Sequence, residues 1–325
     1  HEHRRQRQMC IRDSLLSGST GTFTIDGEIV TINPTGGYLE MDGANLTVSA
    51  GSLIINSTSE TKNEIDAGTL TVSGGLVQFT GNNSSTSTGG DLNIDGGTLA
   101  VSSGSISIND ELDVGTGTIN QSGGAIYVDA GTNNNNGTGA NKFDMDAGSL
   151  NLSGGTFYLQ SQSNSSYNCI DIETQVNTAI TLGHTFHIGT NSTPKNMYIS
   201  FNGHSIGNLI VDLAAKNSYL REDLNVLGAV TIANGTLVVD SYTATVAGAT
   251  SVSGTLKVGA GQYDANGTFD ATSGSIDFSN GNAQLLVSTP SVTSFGALDD
   301  ATGTVVLDGL NAQTCLLYTS PSPRD

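Results

Sequence analysis

The chain has 325 residues and a formal net charge of −19, from 11 Lys and Arg against 30 Asp and Glu, with 42 Gly, 5 Pro and no Trp. The acid excess argues against a nucleic-acid surface. No run of about 18 apolar residues is present to make a membrane-spanning helix, and few prolines without a Gly-X-Y period exclude collagen. Hydrophobic residues make up 36% of the chain, enough to bury a core, but a thin one.

The two ends differ in character from the middle. Residues 1–14 are Arg-rich and include Met9-Cys10-Ile11-Arg12-Asp13; residues 315–325 open on Cys315-Leu316-Leu317-Tyr318-Thr319-Ser320. Both peptides resemble translations of opposite strands of a sequencing adapter, so both segments are set aside as tags. Five of the 11 basic residues and three of the 30 acidic residues fall in them. Two of the three cysteines do as well, which leaves Cys169 and no disulfide framework. The remainder divides into a regular repeat over 15–160, a less regular stretch over 161–207, and a looser repeat over 208–314.

Five segments of the first part align on one pattern: apolar–acid–apolar–Asp, a small-residue break, then Leu-x-apolar-Ser. They carry a Leu or Ile column at Leu46, Leu70, Leu99, Ile119 and Leu150. The variable spacing suits a repeat whose corners accept insertions, here the polar tracts 82–88 and 131–141. Within each segment apolar residues alternate, as in Leu92/Ile94, Leu99/Val101 and Ile106/Ile108. That period of two puts one face inward and one outward. Gly, Asn, Ser and Asp at the breaks supply turns. The pattern predicts an all-β protein, a parallel β-helix or β-solenoid with three short strands per coil. Its right hand is taken from the general rule for parallel crossovers.

Residues 161–207 read as insertion-bearing coils of the same stack. They hold Cys169, read as a small buried residue, and His184, His187 and His204, read as surface or turn histidines in preference to a metal site. Leu213–Asp223 is the single candidate for a short helix, with an irregular corner as the alternative. Further on, Val230–Leu237 is echoed by Ser251–Leu256.

Asp95-Gly96-Gly97-Thr98-Leu99 and Asn234-Gly235-Thr236-Leu237 are similar to the β-helical passenger repeats of autotransporters and to the repeats of large exported surface proteins of Bacteroidetes-type bacteria. The resemblance covers roughly residues 36–280. It implies an exported protein at the bacterial surface or outside the cell, and it brings no catalytic motif.

The outward positions of the first strand are acidic. Glu40, Glu64, Asn93, Asp113 and Asp144 form one column, and Asp42, Asp66, Asp95, Gly115 and Asp146 the next. Like charges stacked about 5 Å apart repel. Ca²⁺ held by Glu40, Asp42, Glu64, Asp66, Asp95, Asp113, Asp144 and Asp146 would offset this. A solvated face whose Asp residues cap the turns is the preferred reading, since no full calcium motif is present. Asp91–Gly96 matches the opening of an EF-hand loop, but Ser102 stands where the closing Glu belongs.

No cofactor is required on this reading. Arg221 beside Glu222 and Asp223 reads as a surface ion cluster, and no Gly-x-Ser-x-Gly, Walker or Rossmann motif occurs. The expected function is that of a structural or adhesive stalk in an exported cell-surface protein, without catalysis. Its partners would be host-cell, glycan or matrix ligands, with no nucleic acid and no membrane insertion, and its unpaired ends could self-associate. A polysaccharide lyase or glycoside hydrolase is the alternative. It calls for carboxylates beside aromatics, and Tyr158, Tyr167 and Tyr198 look scattered. An ice- or crystal-binding face ranks third, because Thr116-Gly117-Thr118 does not recur.

Overall fold

The computed structural model describes residues 16–17, 20–33, 38–57, 62–81, 90–129, 142–160, 167–189, 195–278, 282–288, 291–299, 303–309 and 314–315. Residues 1–14 and 316–325, and both polar tracts expected as insertions, lie outside them.

Alternation of apolar and polar residues becomes alternation of burial. Ser149–Leu159, for example, buries Leu150, Leu152, Phe157 and Leu159 while the residues between them face outward. Parallel pairing then sets each inward residue on its counterpart in the next layer. The Leu46, Leu70, Leu99, Ile119, Leu150 column is in register throughout. A longer one runs Leu53, Val77, Ile106, Ile126, Phe157, Phe186, Leu209 and Val230. These columns form one continuous buried cluster.

Among the described residues the strands belong to two sheets, one of 25 strands and one of six. The smaller sheet consists of Ser205–Ile206, Leu224–Val226, Thr243–Val246, Gln262–Ala265, Gln284–Val287 and Thr304–Leu307, paired parallel in that order. Stretch 161–207 joins the same ladders through Ile170–Ile172, His184–Ile188 and Met197–Ser200. The helix considered for Leu213–Asp223 is instead part of a strand, Asn208–Leu220, with Ala215 at a φ of 54° where it bends.

The expectation of a right-handed parallel β-helix with three short strands per coil is corrected. The all-β class holds, but strands run through positions read as breaks. Asn63–Phe79 is one strand of 17 residues, and Thr98–Ile108, Thr118–Val128 and Ser149–Leu159 have 11 each. The pairing also closes on itself. From Asn63–Phe79 it passes through Thr98–Ile108, Thr118–Val128, Ser149–Leu159, His184–Ile188, Asn208–Leu220, Met197–Ser200, Ile170–Ile172, Phe143–Met145, Leu112–Val114 and Leu92–Asn93, and returns to Asn63–Phe79. The result is a closed barrel of eleven parallel strands with further strands added to it. Closure is possible because the two longest members, Asn63–Phe79 and Asn208–Leu220, each bend far enough to pair at both ends of the ring.

Glycine makes the bend without ending the strand. Gly68 lies inside Asn63–Phe79 at a φ of 82°, and a Cβ there would collide with the Ala44 carbonyl oxygen of the layer below. Gly27 has a φ of 90° and open space around it. Gly27→Ala is expected to cost roughly 1 kcal/mol, the backbone penalty alone. Gly68→Ala adds the collision and is expected to cost at least about twice that. Urea denaturation of the two variants checks the order; equal losses would show that the corner tolerates a side chain.

Candidate functional site

The acidic column is assembled by register. Glu40 pairs with Glu64, Glu64 with Asn93, Asn93 with Asp113, and Asp113 with Asp144. The ladder extends it to Asp171, which the repeat alignment had not reached. The second column is less regular. A bulge after Met41 pairs Asp42 with Ala67, not Asp66, and Asp95 instead accepts a hydrogen bond from the Asn93 amide at 3.0 Å. Asp146 stays exposed, its own N–H donating to the Val114 carbonyl at 3.0 Å. Partial burial, then the neighbouring charges of Asp66, Glu40 and Asp95, raise the Glu64 pKa; burial, then Asp95 and Asp42, raise that of Asp66.

Among the described residues no three His, Cys, Asp or Glu side chains converge to hold a metal. The column has a protein cation instead. One position before each buried residue that opens these strands, the register aligns Lys62, Asp91, Glu111, Lys142 and Cys169. Lys62 reaches across two layers to Glu111 at 3.3 Å and Asp113 at 3.0 Å. Burial favours its neutral form, but Glu111, Asp113 and Asp91 outweigh that and hold its pKa above the ordinary lysine value. Lys142 pairs with Asp110.

Asp91 lies inside this group. It is buried and accepts a hydrogen bond from the Glu111 N–H at 3.1 Å. Burial, reinforced by the charges of Asp110 and Glu111, pushes its pKa up to about 8. Asp91, which opens the incomplete EF-hand match, carries a proton at neutral pH. Lys62, Asp110, Glu111 and Lys142 were missed in the sequence. The signal was there one or two residues upstream of the aligned pattern, where charge recurs beside the same inward strand.

The histidines divide by strand face. His184 is fully buried, which corrects its reading as a surface or turn residue. Gln121 donates to the Gly124 and Thr156 carbonyls at 3.3 and 3.1 Å, so its Oε1 accepts from His184 Nε2 at 3.1 Å. Burial lowers the His184 pKa to about 3, so the ring stays neutral. His187 faces outward, 3.7 Å from Asp212. His204 lies 3.2 Å from the Thr178 hydroxyl and 3.0 Å from the Glu173 carbonyl.

The tyrosines are not all scattered. Tyr127 and Tyr158 stack at 4.6 Å and 11°, with His187 next to Tyr158 at 4.9 Å. Tyr198 stacks on Tyr219 at 5.0 Å and 13°, and the Arg221 guanidinium lies 4.2 Å from the Tyr198 ring centre. In both pairs one face of each ring is taken up by its stacked partner. Sugar stacking needs free faces. An open groove of about 300 Å³ lies elsewhere, lined by Thr71, Ala100, Ser102, Asn120, Asn151 and Ser153 among others. Its lining carries no charge, and Asn151 donates to Asn120 across it at 2.8 Å.

No protein-family model, curated protein or solved structure matches the chain.

Two outcomes test the electrostatics. Millimolar Ca²⁺ is expected to leave the melting midpoint unchanged, since Lys62 and the Asn93 amide already interrupt the run of charge; a rise would assign the acids to the metal. For Asp91, the native state keeps a proton that the unfolded chain releases above about pH 4. Stability therefore falls as pH rises from about 4 to 8, by up to roughly 1.4 kcal/mol per pH unit, and levels off above. The slope over that range is expected to be shallower in Asp91→Asn, whatever the constant offset between the proteins. Denaturant melts at successive pH values measure it, and parallel slopes would remove Asp91 as the titrating group.

Proposed function

We propose that the chain is a structural or adhesive segment of an exported bacterial cell-surface protein and performs no catalysis. The observation that carries this reading is the spread of the acids. Their column runs along the stack with Asn93 breaking it, and the acids that do gather are taken up within the protein, Glu111 and Asp113 by Lys62 and Asp110 by Lys142. A hydrolase or lyase needs carboxylates gathered at one reacting bond, and the groove brings none together.

The resemblance of the Gly-Thr-Leu repeats to exported surface repeats supports a location outside the cell. The neutral amide and hydroxyl lining of the groove suits a polar, uncharged ligand such as a glycan of a host or matrix surface. Stacked tyrosines and in-register amide ladders stiffen the outer faces, which serves a spacer as well as an adhesin.

The test is to incubate the purified chain with neutral and acidic polysaccharides and follow both binding and products. Expected is retention on neutral glycan surfaces, weakened severalfold by Asn120→Ala, with no release of reducing ends or unsaturated uronates. Catalytic release that survives repurification and is lost on carboxylate substitution would replace this reading with the enzymatic one.

A further inference from the structure

We propose that Lys142 and Asp110 form an intramolecular amide cross-link, with the carboxyl group of Asp91 as the acid that assists its formation. The three side chains stand together where strands from three layers meet. Lys142 Nζ and Asp110 Oδ1 are already paired. The residues are 6% and 8% exposed, and Asp91 is 2% exposed. Each backbone is pinned. The Asp129 N–H donates to the Asp110 carbonyl at 3.1 Å, the Leu112 N–H to the Lys142 carbonyl at 2.8 Å, and the Asn63 amide to the Asp91 carbonyl at 2.9 Å. Nucleophile and electrophile are thus held before any bond forms, the arrangement that lowers the barrier of an intramolecular reaction, and the Asp91 carboxyl lies near enough for its charge to act on Lys142 and that of Asp110 to act on it.

Burial works in the same direction. An ion pair in a poorly solvated site is costly, and condensation removes both charges. On Lys142, burial favours the free amine, but the charges of Asp129, Asp110 and Asp91 outweigh it and hold the pKa above the ordinary lysine value, so the amine arises only by proton transfer within the pair. Asp91, with its pKa raised to about 8 mainly by burial, is protonated at neutral pH. Transfer of one proton from the Lys142 ammonium to the Asp110 carboxylate gives a neutral amine and acid. The Nζ lone pair attacks Asp110 Cγ. Asp91 gives its proton to the departing oxygen and recovers one from the nitrogen. One C–N bond forms, one C–O bond breaks, one water leaves, and nothing is oxidised or reduced.

The other lysine pairs mark the contrast. Lys62 is 27% exposed at its side chain and Lys257, 2.7 Å from Asp277, is 25% exposed. Water reaches both, so they remain ion pairs.

The experiment is intact-mass spectrometry of the full chain after denaturation. The expected mass is lower than the sequence requires by one water, not two or three. Tandem spectra of the digest are expected to join the peptide holding Asp110 to the peptide holding Lys142. Lys142→Arg is expected to restore the full mass, and Asp91→Asn, which keeps the acceptor for the Glu111 N–H, to stay at full mass on prolonged incubation. A wild-type mass equal to that of the sequence, or a linkage to Asp129, overturns the cross-link. Loss of water by Asp91→Asn overturns the role of Asp91.

Discussion

Everything in this protein follows from the in-register parallel ladder of backbone hydrogen bonds between layers. It sets neighbouring strands about 4.8 Å apart and places each side chain over its equivalent in the layer below. Inside, that geometry favours apolar columns such as Leu53 to Val230, aliphatic but for the adjacent pair Phe157 and Phe186, because like shapes stacked at a fixed pitch leave few voids. Outside, the same geometry is indifferent to chemistry. It stacks tyrosine on tyrosine, asparagine on asparagine and, less comfortably, carboxylate on carboxylate.

The acidic column shows how the conflict is met. Glu64, Asn93 and Asp113 occupy successive positions, with one amide already breaking the run of charge. Lys62 lies beside the column and spans layers to reach Asp113. A long, flexible lysine can do this; a shorter side chain tied to one layer could not. Where the cover is more complete, around Asp91, neutralisation by proton takes over from neutralisation by cation. The interior has one analogous compromise. Gln121 and His184 interrupt the apolar columns, joined by one hydrogen bond, with the glutamine amide also bound to two carbonyls and His184 Nδ1 left without a hydrogen-bond partner.

Much of this was legible in the residues themselves. Alternation with period two announced strands, and the repeated Leu and Ile positions announced which residues would stack. The acidic column followed from the same alignment. Less was legible at the corners. A glycine is compatible with a strand that stops and with one that bends and continues, and Gly68 does the second. The difference turns three expected short strands into one long strand, and two such bent strands close the ring. His184 was misread for a related reason. Its face depends on where the preceding turn places the strand, and Gln121, its partner, lies 63 residues away.

The sequence by itself determined the all-β class, the inward and outward sets, and the charge carried by the outer face, because strand periodicity is local and is written in every few residues. Only the tertiary structure decided how the corners are traversed, that the pairing closes, and that Lys142 meets Asp110 under the shelter that protonates Asp91. Those outcomes depend on layers separated by connections of unequal length, and a contact between such layers is fixed by the register of the ladder, which no short window of residues contains.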